Sequence, residues 1–342
     1  MRIGIVNDLA LAREVLRRTV ATIPGYTVAW VAEDGDDAVR QAATDRHDAI
    51  LMDLVMPRVN GVEATSQIMR HSPCPILVVT SSVATNFPLV FQALNVGAVD
   101  AVDAPTIGRS GTIQNHEKLV SRLLKLEAAL NEMSGSSMTM TVSPLSSTSG
   151  TLPPLVLLGA STGGPQALVD VVRVFPANLP AAVIISLHIG ADFAMGVVQQ
   201  LGLCSRLPVK AARDGDVPVA GTVYVAVTND HLELGADRLL RYTANPRSSP
   251  FRPSVDVLFT SVATHSARLG VAALLTGMGN DGAAGLLRLR SAGWHTIAQD
   301  QTTSVVYGMP KAAVENRAAV EVLPISNIGA NIVAKLLAQN RR

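Results

Sequence analysis

Leu155-Val156-Leu157-Leu158-Gly159-Ala160-Ser161-Thr162-Gly163-Gly164-Pro165-Gln166-Ala167-Leu168 reads as a buried strand, a glycine-rich turn and the start of a helix. The apolar run from Leu155 to Leu158 has strand length. Pro165 suits the first turn of a helix, where a missing N–H costs nothing. Ser161 therefore falls at the carboxyl end of a strand, beside the unpaired N–H groups of a helix start, and such donors can hold a developing oxyanion. Gly159 to Gly163 also matches the G-x-S-x-G nucleophile pattern. Taken alone, the pattern equally describes a turn that binds phosphate or simply packs closely.

Downstream, Ala181 to Leu187 forms a second apolar run ending at His188. Val271 to Leu275 forms another, running into Thr276-Gly277-Met278-Gly279-Asn280-Asp281-Gly282. Ends of parallel strands converge on one edge of a sheet, so Ser161, His188 and Asp281 can assemble as nucleophile, base and orienting carboxylate. Each has a plainer role available. His188 can be an ordinary loop histidine, and His231, His265 and His295 compete for the base role. Asp281 precedes a helical stretch from Ala283 to Ser291, where capping that helix is its default role. The order Ser, His, Asp also departs from that of the α/β-hydrolases.

Upstream, strands and helices alternate. Apolar runs at Arg2–Val6, Tyr26–Val31, Asp48–Met52, Pro75–Thr80 and Val99–Val102 are separated by helical patterns and turns such as Pro24-Gly25 and Asn60-Gly61. This spacing predicts a doubly wound parallel sheet with its site at the strand carboxyl ends, where Asp8, Asp53 and Thr80 gather. Two carboxylates there make a hard oxygen site suited to Mg²⁺, beside which a carboxylate can accept a phosphoryl group and Thr80 can bond the product. A helical pattern from Glu117 to Met133 precedes a Ser-, Thr-, Gly- and Pro-rich stretch without periodicity, which reads as a flexible linker over 132–153 between domains at 1–131 and 154–342.

The bulk composition agrees with two α/β domains. The chain has 342 residues, 48% hydrophobic but only 4% aromatic, so its cores are built from Val, Leu, Ile and Ala. With 28 basic and 27 acidic residues and no basic stripe, nucleic-acid binding is not expected. Cys74 and Cys204 fit no metal spacing and read as free thiols of a reducing compartment. No apolar run approaches the roughly 18 residues of a membrane span, so a cytoplasmic protein with no membrane insertion is expected.

The segment from Met1 to about Asn131 resembles the receiver domain of bacterial response regulators. Asp53, in Leu51-Met52-Asp53-Leu54-Val55-Met56-Pro57, matches the phosphoacceptor, Asp8 a metal ligand and Thr80 the residue that senses the phosphate. Asn7 stands where an acid is usual, Ala101 where a switch aromatic is usual, and Ala104 where a lysine precedes Pro105. The lysine would contact the acyl phosphate, so its loss bears on how a signal is passed on. A pseudo-receiver is the alternative.

The segment from Pro154 to Arg342 resembles the effector domain of the chemotaxis protein-glutamate methylesterases of the CheB family, through Gly159–Pro165, Leu187-His188, Val223–Ala226, Arg252–Phe259, Thr276–Gly282 and Tyr307–Pro310. The resemblance implies a Rossmann-like α/β domain with Ser161, His188 and Asp281 as triad and the amides of Thr162 and Met278 as oxyanion donors. It also implies hydrolysis of glutamate γ-methyl esters on chemoreceptors, with glutamine deamidation in some members. No cofactor serves the ester step; Mg²⁺ belongs to the receiver, phosphorylated by a CheA-like histidine kinase. Ile189-Gly190 replaces the usual Met-Pro after the histidine. Val6-Asn7-Asp8 and the segment Asp100-Ala101-Val102-Asp103-Ala104-Pro105 look like the Wsp-type surface-sensing branch. Two other classes compete: a catalytically weak docking module at receptor arrays, and a DNA-binding response regulator. The second finds no helix-turn-helix with a basic face.

Overall fold

Short apolar runs that alternate with amphipathic helices can bury both faces only as parallel sheets covered by helices. The structure, a computed structural model, takes that form and describes residues 1–108, 111–132, 152–266 and 268–339. The chain divides into two units, Met1–Asn131 and Glu132–Arg342.

In the first unit β1 (Arg2–Val6), α1 (Ala10–Ala21), β2 (Thr27–Ala32), α2 (Gly35–Thr44), β3 (Ala49–Met52), α3 (Gly61–His71), β4 (Ile76–Thr80), α4 (Phe87–Asn95) and β5 (Asp100–Asp103) follow one another. A small ribbon, β6 (Thr106–Ile107) with β7 (Ile113–Gln114), then leads to α5 (Glu117–Glu132). The five-stranded sheet is parallel, in the order β2-β1-β3-β4-β5. The chain reverses its direction of travel between β1 and β3, opening a crevice at their carboxyl ends. Asp8 and Asp53 follow those two strands. Ile3, Ile5, Leu51, Leu77, Val79, Leu119 and Leu123 share a core fully closed to solvent.

The second unit contains β8 (Leu155–Ala160), α6 (Gly164–Val172), β9 (Ala182–Leu187), α7 (Ala191–Cys204), β10 (Val209–Ala211), β11 (Val223–Val225), β12 (His231–Leu234) and β13 (Leu240–Thr243). It continues with α8 (Val255–His265), β14 (Val271–Leu274), α9 (Ala283–Ser291), β15 (His295–Gln299), α10 (Met309–Glu315), β16 (Glu321–Leu323) and α11 (Ile325–Gln339). Seven strands form one sheet in the order β10-β11-β9-β8-β14-β15-β16, every pair parallel. The order turns back at β8, with β9 on one side and β14 on the other. The crevice beyond those three strand ends is where an open α/β sheet binds its ligand. The antiparallel pair β12–β13 lies outside this sheet.

Of the stretch 132–153 expected as a linker, Glu132 closes α5 and Leu152 is buried in the core of the second unit. Residues 133–151 lie outside the described residues. No described helix is long and apolar enough to cross a membrane.

Candidate active site

Ser161 is the first residue beyond β8, half-buried, with its N–H bonded to the Thr276 carbonyl at 3.0 Å. The chain turns there because Gly163 adopts φ +75°, in the left-handed region that favours glycine, and Pro165 enters the first turn of α6. On the other side Gly277 comes so close that a β-carbon would overlap both Ser161 Cβ and the Met309 sulfur. Thr276 fixes this junction. Its hydroxyl donates to the Thr162 carbonyl at 2.9 Å, and its N–H donates to Gln299 Oε1 at 2.8 Å.

His188 sits one residue past β9, and its N–H donates to the Ala160 carbonyl at 3.1 Å, continuing the β8–β9 ladder. Ser161 and His188 are therefore neighbours across adjacent strands. The imidazole lies parallel to the Phe251 ring, with centroids 4.4 Å apart and planes 9° from parallel. Nε2 of His188 meets Asp281 Oδ2 at 2.6 Å. Nδ1 is buried and has no hydrogen-bond partner among the described residues, which leaves it as the nitrogen available for proton transfer. No hydrogen bond joins Ser161 Oγ to His188 among the described residues; such bonds are commonly long before substrate binds.

Asp281 does not cap its own helix. Gly282, at φ +89°, occupies that position and contributes no side chain. The Asp281 carboxylate turns instead to the start of α8. Oδ1 accepts the Ser254 hydroxyl at 2.8 Å and the Asp256 N–H at 3.1 Å, and Oδ2 accepts the Val255 N–H at 2.6 Å. Burial pushes this carboxyl up, but the bonds from His188, Ser254 and Val255 outweigh it and hold the group below the ordinary carboxylate range. A fixed negative charge therefore faces the imidazole.

The other histidines are placed elsewhere. His231 is wholly buried, with Nδ1 accepting the Ser254 N–H at 3.0 Å and Nε2 facing the Pro246 carbonyl at 3.3 Å. Burial lowers its pKa, and it stays neutral as a support for α8. His265 ends α8, about 16 Å along the helix from Ser254. His295 opens β15 in register with Val271, at the opposite edge of the sheet. Thr162 and Met278 flank Ser161, and neither N–H is paired among the described residues.

In the first unit Asp53 is half-buried past β3. Asn7 Nδ2 donates to its Oδ2 at 2.9 Å, and the Leu54 N–H to its Oδ1 at 2.7 Å. Burial, with a smaller contribution from the charge of Asp8, raises the Asp53 pKa. Thr80 is buried at the end of β4, its hydroxyl accepting from Asn86 Nδ2 at 2.7 Å. No group of three or more acidic, histidine or cysteine side chains arranged for a metal occurs among the described residues. Asp8 and Asp53 are a pair.

Residues 156–332 match the family model for the CheB methylesterase, and residues 3–107 match that for the response regulator receiver domain. The chain is 48% identical, over all of its length and 99% of the relative's, to protein-glutamate methylesterase/protein-glutamine glutaminase 4 of Burkholderia thailandensis. It is 47% identical to a relative named number 1 in that series from Bordetella avium, covering 96% of this chain and 95% of that one. The chain belongs to the CheB methylesterase family. The crystal structure of the Thermotoga maritima CheB methylesterase catalytic domain aligns with a TM-score of 0.51 at 32% identity, covering 54% of this chain and 98% of that one. An N-terminal receiver and a C-terminal methylesterase domain thus share one chain, as expected of a response regulator that is itself an enzyme.

Three residues that the sequence left without an individual role hold this site together, Phe251, Ser254 and Asp256, joined by His231, a candidate base that instead serves as support. Ser254 had a signal, since a serine directly before an apolar helical run is an N-cap pattern. It does cap α8, accepting the Val257 N–H at 3.3 Å. Its second bond, to Asp281, has no local signal.

Proposed function

We propose that this protein hydrolyses glutamate γ-methyl esters on methyl-accepting chemoreceptors and deamidates receptor glutamine by the same steps. The observation that carries this reading is the buried His188–Asp281 contact at 2.6 Å beside the strand end of Ser161. Ser161 Oγ attacks the ester carbonyl while His188 Nδ1 takes its proton. The oxyanion is met by the free amides of Thr162 and Met278. His188 then returns the proton to the departing methanol, or to ammonia when glutamine is the substrate. Water activated by His188 cleaves the acyl-enzyme and regenerates the serine. Asp281 stays ionised throughout and stabilises the imidazolium.

Asp53 is the phosphoacceptor for a CheA-like histidine kinase, and its phosphorylation raises esterase activity. The two carboxylates of Asp8 and Asp53 fit a Mg²⁺ ion, which binds through one or two carboxylates together with phosphate and water. Bound there, the ion would neutralise charge on the incoming phosphoryl group. Asn7 supplies an amide where a third carboxylate would repel Asp53, and Thr80, now held by Asn86, would turn to the phosphoryl oxygens.

Methanol release from a methylated receptor fragment tests the reading. Wild type should release methanol, Ser161→Ala should not, and a small phosphodonor with Mg²⁺ should raise the wild-type rate. Absence of release from folded wild type on an authentic receptor would leave a docking module as the better account.

A further inference from the structure

Asp256 belongs to the segment Arg252–Phe259, and neither the triad nor the oxyanion site uses its side chain. It lies in the first turn of α8, partly buried, with its N–H on Asp281 Oδ1 at 3.1 Å. Its own carboxylate points the other way. Oδ1 accepts the N–H of Gly285, in the first turn of α9, at 2.5 Å. A β-carbon on Gly285 would crowd Phe259 and the Asp256 carbonyl, so the two helix starts are in direct contact. The helices thus exchange carboxylates. Asp281, just ahead of α9, is held by the start of α8, and Asp256, within α8, is held by the start of α9. Each negative charge lies at the positive end of the other helix.

We propose that Asp256 is a positioning residue for the hydrolysis: by clasping the start of α9 it fixes the backbone beside Asp281, and through Asp281 the ring of His188. Gly279 and Gly282, on either side of Asn280 and Asp281, take φ +87° and +89°, so the chain around Asp281 is a tight left-handed turn outside the regular helix. The α8 donors hold the carboxylate of Asp281, whereas Asp256 holds the chain that follows it. Asp281 from the loop and Arg288 from α9 are the charged groups facing Asp256, and His188 lies beyond Asp281. Burial, then the charge of Asp281, push the Asp256 carboxyl up to about 7 against the opposing effects of Gly285, Gly282 and Arg288.

This rests on the triad reading, and the experiment separates the two. Methanol release from a methylated receptor fragment is followed with full-length wild type, Ser161→Ala, Asp256→Ala and Asp256→Asn, each checked for fold by circular dichroism, across pH. Activity surviving in Ser161→Ala would overturn the triad itself. With Ser161→Ala silent, Asp256→Ala should lose about 10- to 100-fold in kcat at little change in KM, as expected when a reacting group is misplaced. Asp256→Asn keeps an acceptor for Gly285 and should restore most of the rate. Its acid limb should lie at lower pH, because a negative charge that favours the protonated form of the base is gone. The proposal is overturned if folded Asp256→Ala keeps the wild-type kcat, or if Asp256→Asn is as slow as Asp256→Ala. Should Asp256→Ala not fold, Asp256→Leu, which fills the same space without an acceptor for Gly285, takes its place, and a wild-type kcat in that folded variant would overturn the proposal.

Discussion

Both units place a carboxylate at the reversal point of a parallel sheet, yet the two carboxylates are prepared for opposite tasks. Asp53 has one well-formed backbone donor and the Asn7 amide, shares its crevice with Asp8, and has a raised pKa through burial. Asp281 has His188, a hydroxyl and two backbone N–H groups, and is held below the ordinary range despite burial. The topology gives position only. The number of donors aimed at the carboxylate then decides what it can do. An under-satisfied carboxylate gains from a cation and can act on a phosphoryl group. A saturated one neither moves nor protonates, as the partner of a catalytic base requires.

The largest test of this contrast removes the group that only the second site provides. Ser161→Ala should lower kcat by about 10⁴- to 10⁶-fold in methanol release, because a triad without its nucleophile retains only binding and oxyanion effects. At the first site, Asp53→Asn should retain basal hydrolysis and lose the response to a small phosphodonor. Chelation of Mg²⁺ should likewise remove the response from wild type and spare the basal rate. Equal stimulation of wild type and Asp53→Asn would show that the under-satisfied carboxylate is not the acceptor. Asp281 can also be made more like Asp53 by deleting a donor. Ser254→Ala removes its hydroxyl donor and the α8 cap together. Thermal unfolding should show a loss of about 1 kcal/mol for the cap, with a further loss of about 1.5–3 kcal/mol for the bond to a charged group. A fall in kcat of about tenfold should accompany it. Loss of stability with unchanged kcat would mean that the remaining donors suffice.

Much of this was open to reading along the chain. The apolar runs ending at Ser161, His188 and Thr276 are bounded by glycine-rich turns, and parallel order follows from the helices between them, so convergence at one sheet edge needed no distant information. Asp281 shows where such reading stops. An aspartate just ahead of a helix suggests a cap for that helix, but Gly282 takes the left-handed position and the carboxylate crosses to α8. Which helix start lies opposite is set by the packing of α8 on α9, which leaves no periodic trace in either segment. Phe251 is hidden for a similar reason. Nothing in a single aromatic residue ahead of Arg252-Pro253 says that its face will cover an imidazole supplied by β9. At the first site, Asn7 reads as the loss of an acid, and only the geometry turns it into a donor to Asp53.

The smallest effect concerns the support behind the saturated carboxylate. His231 must stay neutral, because Nδ1 accepts the N–H of Ser254, the residue whose hydroxyl holds Asp281. Its folded pKa is lowered from 6.5 by burial, so the unfolded chain takes up the proton first. Its contribution to stability is complete above 6.5 and declines as the pH falls below it toward the folded value. Asp256 works in the opposite sense. Its pKa is raised from 3.8 to about 7, so the folded state binds the extra proton and its contribution grows as the pH falls through 7. The two partly cancel in wild type, and the raw curve of stability against pH says little about either. His231→Gln retains an acceptor for Ser254 and a donor for Pro246 without a titrating ring. The difference in Tm between wild type and His231→Gln should therefore shift in favour of the variant as the pH is lowered below 6.5. A difference independent of pH would mean that protonating His231 does not loosen the start of α8, and that the donors around Asp281 are secured by the helix alone.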